Sequence, residues 1–175
     1  MIIEIDAKLL KAAQQFQAKN DVRYYLNGVC LSKDGRIKAT DGHRAMMVEH
    51  GAKLEEDIII TINGAVPASA TIAKIDTDTN MITFDDRSES VKSFSVIAGE
   101  FPEVDRTIPT GDTVPADLIG FNPSYIADAA KALEIASGKA TAMTFEFRGK
   151  HKALVMRPTM ERLSSLIIIV MPCRY

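Results

Sequence analysis

Thr40-Asp41-Gly42-His43-Arg44 sets a carboxylate, an imidazole and a guanidinium side by side. Those are the side-chain types of general acid–base chemistry or of a metal site. The other two histidines, His50 and His151, stand at no ligand spacing from His43. The chain has no nucleophile elbow, no phosphate-cradling glycine loop and no paired carboxylates with a base. No enzyme, metal or cofactor is therefore expected. Asp41 is better read as fixing a turn through its own backbone. His43 is then either part of that turn or the wall of a binding pocket. The second region of interest is Met171-Pro172-Cys173-Arg174-Tyr175, which follows the apolar run 166–170. That run reads as a buried closing strand, part of which can also line a groove.

The elements that must position these residues follow from patterning. Three apolar runs end at Asp6, Asn63 and Asn122, at nearly even intervals. Asp and Asn suit a helix N-cap, because the side chain accepts an orphan amide of the first turn, and Pro123 suits the first helical position after Asn122. After Asp6, Leu9, Leu10, Ala13 and Phe16 share one helical face, and Lys8, Lys11, Gln15 and Lys19 stripe the other. After Asn122, Tyr125, Ile126, Ala129, Ala130 and Leu133 form a second apolar face, with Asp128, Lys131 and Glu134 outward. After Asn63, Gly64 and Pro67 predict a rudimentary helix or none. Strand-like runs with turn punctuation follow each cap: 23–31, 36–39, 72–75, 81–84, 91–97, 142–147, 152–156 and 166–171. Asn27-Gly28 is either a bulge or a turn. The unit is strand, helix, then several strands, used about three times. This is an α+β chain of repeated β-α-β-β-β units, with helices on one face of antiparallel sheets.

Bulk composition adds bounds. The 175 residues are 46% hydrophobic and 25% charged with net charge −2, which is ordinary for a compact soluble domain. No block of like charge marks a nucleic-acid tail, so any DNA contact must come from one patterned face. Cys30 and Cys173 share no CxxC spacing and are expected to be buried free thiols in a reduced, cytoplasmic setting. No signal peptide is evident, and the greasiest stretch is too short to span a bilayer, so no membrane partner is expected.

Four motifs in order resemble a known family. Residues 21–28 with Ala39-Thr40-Asp41-Gly42-His43-Arg44 resemble the start of the middle domain of the bacterial sliding clamp, the β subunit of DNA polymerase III. Phe101-Pro102-Glu103-Val104-Asp105-Arg106-Thr107-Ile108-Pro109 is similar to the end of that domain. Phe121-Asn122-Pro123-Ser124-Tyr125 and Val170-Met171-Pro172-Cys173-Arg174 resemble the second half of the last domain. The resemblance implies a clamp-like domain over 1–110, built of two repeats, and a single repeat over 111–175.

In that family two repeats make a domain, and twelve close a head-to-tail ring around duplex DNA. The resemblance implies a peptide pocket made by Leu26, Thr40, Gly42, His43 and Arg44, by Pro102 and Arg106, and by Asn122, Tyr125, Val170, Met171, Pro172 and Arg174. The partners implied are clamp-binding peptides of DNA polymerase and of the clamp loader. Arg44, Arg106, Arg174 and Asn122 would orient the peptide backbone. Lys8, Lys11 and Lys19 would face DNA phosphates non-specifically, or simply be a solvated helix face. Ala45 and Thr107 stand where larger apolar residues are usual, and Cys173 and Tyr175 replace a terminal Met and Leu. Three repeats per chain imply a homo-oligomer, four chains completing twelve repeats. One front-half repeat and two back-half repeats would require an unusual pairing to close a ring. The function implied is a polymerase processivity factor; the rival is a decoy or adaptor that binds clamp-binding peptides without enclosing DNA.

Overall fold

A computed structural model describes residues 1–116, 118–139 and 141–173. The first repeat is β1 (Ile2–Asp6), α1 (Ala7–Ala13), β2 (Val29–Leu31), β3 (Arg36–Thr40) and β4 (Arg44–Glu49). The second is β5 (Ile58–Ile62), β6 (Ile72–Asp76), β7 (Met81–Phe84) and β8 (Val91–Ile97). The third is α2 (Pro123–Ser137), β9 (Met143–Glu146), β10 (Leu154–Pro158) and β11 (Ile167–Val170). The strands are ordered β1-β6-β7-β8-β5-β2-β3-β4-β11-β10-β9, and each pairing is antiparallel.

The first two repeats exchange their opening strands. β1 leaves its own repeat to pair with β6, with Ile5 opposite Ala73, while β5 pairs with β2, with Ile59 opposite Cys30. In β1 the side chains alternate, so Ile3 and Ile5 are buried while Ile2 and Glu4 face outward. β11 joins the third repeat to the first by pairing with β4, Ile169 opposite Ala45.

Both helices cover one face of this sheet. Asp6 caps α1, its Oδ1 accepting from the amides of Lys8 (2.7 Å) and Leu9 (3.4 Å). Asn122 caps α2 through the Ser124 amide (3.0 Å), Pro123 takes the first position, and Gly138 ends the helix with φ +72°. The helices pack through small side chains, Ala7, Ala12 and Ala13 of α1 and Ala129, Ala132 and Ala136 of α2, in the main core. On the opposite sheet face a smaller core of Cys30, Ala45, Met47, Ile59 and Ile169 is covered by Phe101 and Val104. Among the described residues, no helix is long and apolar enough to cross a membrane.

Several expectations are corrected. α1 stops at Ala13, because turn bonds from Gln15 to Ala12 and from Phe16 to Ala13 fold Phe16 into the core. Lys19 therefore lies in a loop, outside the helical stripe. Residues 24–27 form a 3₁₀ turn instead of a strand, closed by Asn27, whose side chain bonds both the amide and carbonyl of Asp21 at 2.9 Å. Gly28 then enters β2 so close to β5 that an added Cβ would lie 2.8 Å from the Ile60 carbonyl oxygen. After Asn63 no helix follows over 64–71, as Gly64 and Pro67 predict, and Asn63 bonds Ser93 Oγ (2.8 Å) instead of capping one. Residues 118–121 are not a strand. Cys30 is fully buried, burial pushing its thiol up to about 12, whereas Cys173 is exposed, contrary to the expectation for both.

Candidate functional site

The turn between β3 and β4 is built by its own polar side chains. Asp41 Oδ1 accepts from the amides of His43 (2.9 Å) and Arg44 (3.1 Å). Thr40 Oγ1 donates to the Arg44 carbonyl (2.7 Å) and accepts from the Gly42 amide (3.0 Å). Gly42 has φ +91°, and a Cβ there would meet Arg23 Nη1 at 2.8 Å. The positive φ selects glycine, and a Cβ there would also push the Arg23 guanidinium aside. Arg23 lies on this turn because Asp21 grips it, Nη2 to Oδ2 at 2.8 Å and Nε to Oδ1 at 3.0 Å. That grip lowers the Asp21 carboxyl to about 2.

Arg44 is the tie between layers. Its guanidinium lies 5.2 Å from the Phe16 ring centroid and 5.0 Å from that of Tyr125. It bonds Asp41 Oδ2 (2.9 Å), Asp128 of α2 and the Gln15 carbonyl (3.0 Å). Three of its five N–H donors thus tie the layers of the fold together, and the residue also lines the cleft below. Tyr125 stacks on His43 with centroids 6.1 Å apart and planes at 16°.

The facing wall is the 3₁₀ turn Val104–Thr107, preceded by Pro102 and Glu103. Val104 is buried in the smaller core, and Asp105 pins the turn to β3. Lys38 Nζ bridges Asp105 Oδ2 (2.9 Å) and Asp34 Oδ2 (2.8 Å), and Arg36 bonds the same two carboxylates. Burial alone would raise the Asp105 carboxyl; the bonds from Lys38 and Arg36 outweigh it and hold it below the usual carboxylate range.

β11 and the residue after it supply the third wall. Side chains alternate, so Ile168 and Val170 point into the main core while Ile169 and Met171 point to the other face. The Met171 amide donates to the His43 carbonyl (2.9 Å), and its side chain is 40% exposed.

These walls enclose a mostly apolar cleft of about 260 Å³. Of the expected residues it gathers Leu26, Thr40, Gly42, His43, Arg44, Pro102 and Met171. Ala45 and Thr107 line it too. Five further lining residues were not foreseen: Arg23, Tyr25, Glu103, Val104 and Ile169. Strand alternation counted back from Met171 would have found Ile169, and it also removes Val170, which is 0% exposed. Nothing in composition marks Arg23 or Tyr25, which reach the cleft only through the 3₁₀ turn.

The remaining expected residues lie elsewhere. Arg106 turns outward to Glu103 (3.2 Å). Asn122 serves as the α2 cap, and Tyr125 sits behind His43 and Arg44. Pro172 lines a neighbouring cleft with Ile119, Lys150 and His151, which shares Met171 as its border. Arg174 and Tyr175 lie outside the described residues. Of the three lysines, Lys8 directs its Nζ at the end of α2, 3.2 Å from where a Gly138 Cβ would stand. That end carries partial negative charge, which favours a cation beside it. Lys11 sits in the last turn of α1, and Lys19 is exposed in the loop after it.

Exchanged opening strands, helices on one sheet face and a seam between repeats define the fold of the DNA sliding clamps. The whole chain superposes on 67% of a Pseudomonas aeruginosa DNA polymerase sliding clamp with TM-score 0.68 at 18% identity. It superposes equally on 64% of the Bacillus subtilis clamp, TM-score 0.68 at 16% identity, and on 66% of the Thermotoga maritima DNA polymerase III β subunit, TM-score 0.64 at 18%. In sequence it is 27% identical over 116 residues to the P. aeruginosa β sliding clamp, covering 59% of this chain and 32% of that protein. No family model matches. The chain therefore has the DNA-clamp fold and is similar in sequence to part of the bacterial β sliding clamp, and it spans only part of the length of the relatives it matches.

Proposed function

We propose that the cleft between β4, β11 and the 101–107 segment binds short linear peptides of a DNA polymerase or clamp loader. One observation carries this reading: an open, apolar cleft lies on the seam where the segments 1–110 and 111–175 join, walled by Leu26, Pro102, Ile169 and a half-exposed Met171. Such a slot suits a leucine or aromatic anchor, and methionine adapts to several anchors. Arg23 joins Arg44 on the cleft lining as a cation placed to meet the peptide backbone, a role the resemblance gave to Arg44, Arg106, Arg174 and Asn122. In this reading the protein is a non-enzymatic, cytoplasmic tether that assembles with further copies around duplex DNA. Lys11 and Lys19 would supply weak, salt-sensitive phosphate contacts.

Lys19 favours a second reading. It lies in the loop after α1, so the expected stripe is reduced to Lys8 and Lys11 on the helix, which fits a decoy or adaptor that binds the same peptides without enclosing DNA. A fluorescently labelled Gln/Leu/Phe-type clamp-binding peptide, titrated with the protein, tests the shared part. Saturable binding weakened about tenfold by Met171→Ala is expected, since trimming a methionine that the bound peptide covers removes roughly 1–2 kcal/mol of apolar contact. Equal affinity for both proteins would remove the cleft from the proposal. Retention on closed circular DNA but not on linear DNA would separate the tether from the decoy.

A further inference from the structure

The apolar cleft does not end at Met171. A second cleft of about 540 Å³ begins on the other side of that residue, lined by Ile119, Gly120, Lys150, His151, Pro172 and Cys173. Backbone bonds fix the ridge between the two. The Met171 amide donates to the His43 carbonyl on one side, and the Cys173 amide donates to the Gly120 carbonyl (2.8 Å) on the other. Part of the second cleft's wall is the tip of the β9–β10 hairpin. There the Lys152 amide donates to the Gly149 carbonyl (3.1 Å), which closes a turn with Lys150 and His151 at its two central positions. The tip carries one sign of charge: residues 148–152 are Arg-Gly-Lys-His-Lys, without a carboxylate. Arg148 has Glu146 within 2.9 Å, whereas among the described residues neither Lys150 nor Lys152 has an ion-pair partner. No carboxylate lines the second cleft among the described residues.

We infer that Lys150 and His151 select peptides carrying an aspartate or glutamate side chain beside the apolar anchor. The inference rests on the reading of the first cleft as a peptide site, and adds which peptides that site prefers. A peptide anchored in the first cleft and leaving it over Met171 enters the second, because the two share that residue. There an acidic side chain meets the Lys150 ammonium and a ring N–H of His151, which imidazole offers even when neutral. Both residues are exposed, so this is a rim contact. Rim charges act on association rate and partner choice more than on raw affinity, and salt screens them. An advantage of about three- to fivefold at low salt is the size expected of an exposed pair.

Four versions of a Gln/Leu/Phe-type peptide, titrated into the full chain at low and at high salt, test this. Three are blocked at both ends: a neutral parent, one with Asp before the anchor and one with Asp after it. The fourth is the neutral parent with a free C-terminal carboxylate. One of the two Asp peptides should bind about three- to fivefold tighter than the parent at low salt, and the advantage should vanish at high salt. Lys150→Gln should remove most of that advantage and Lys150→Glu should reverse it, both changes falling at an exposed turn position. Equal binding of parent and both Asp peptides would overturn the selection and leave the apolar cleft standing. An advantage confined to the free carboxylate would overturn the side-chain source, and one that survives Lys150→Glu would overturn the role of the hairpin tip. No binding of any peptide would overturn this inference together with the reading it rests on.

Discussion

Arg44 lies between the rings of Phe16 and Tyr125 and bonds Asp41, Asp128 and the Gln15 carbonyl, with only 11% of its side chain exposed. Removing it would leave two carboxylates facing an apolar layer. Arg44→Ala should cost about 2–4 kcal/mol in urea unfolding, less than a fully buried pair because Asp128 is partly solvated. Gly42→Ala should cost about 1–2 kcal/mol, since it holds an L side chain at positive φ; the same unfolding curve reads it. The two thiols should separate cleanly: a thiol reagent should label Cys173 in the native protein and reach Cys30 only after denaturation, because burial keeps Cys30 protonated. At this scale the sequence was partly legible. Asp6 and Asn122 announce themselves as caps by chemistry alone. Arg44 does not, because its charge suits a ligand as well as it suits Asp128, and only the packed layers show which partner it has.

The 101–107 segment is held by Phe101 and Val104 in the smaller core and by the bonds of Asp105 to Lys38 and Arg36. The carboxyls of Asp34 and Asp105 are both depressed in the folded state. Their contribution is therefore complete above the unfolded carboxylate value near 4 and is lost as pH falls below it toward the depressed values. Urea midpoints measured from pH 6 downward should show this fall, and Asp105→Asn should flatten part of it. The same variant should loosen the Pro102 wall and weaken peptide binding at neutral pH. Element types were legible where periodicity was long, as in α2. They were lost where a short polar bond overrides propensity: residues 24–27 are rich in strand formers, yet the Asn27–Asp21 bonds wind them into a 3₁₀ turn. Lys19 was misplaced for a similar reason, since the helical stripe continues in the sequence past the point where Phe16 turns inward.

Across the whole molecule, the segments 1–110 and 111–175 share a continuous sheet through β4 and β11, and one core through α1 and α2. They should unfold together, in a single urea transition reported alike by fluorescence and circular dichroism. Two of the three evenly spaced Asp and Asn positions, Asp6 and Asn122, are helix caps, whereas Asn63 bonds Ser93 and starts no helix. The exchange of opening strands was not legible, because a strand's sequence does not name the edge it will pair with. The central claim is that this seam is a peptide cleft, and mapping a bound peptide by amide chemical shifts tests it most directly. Titrating a Gln/Leu/Phe-type peptide into labelled protein should move the amides of Gly42, His43, Thr107 and Met171, and leave those of β6 and β7 still. Shifts confined to other surfaces, or none at millimolar peptide, would contradict the account.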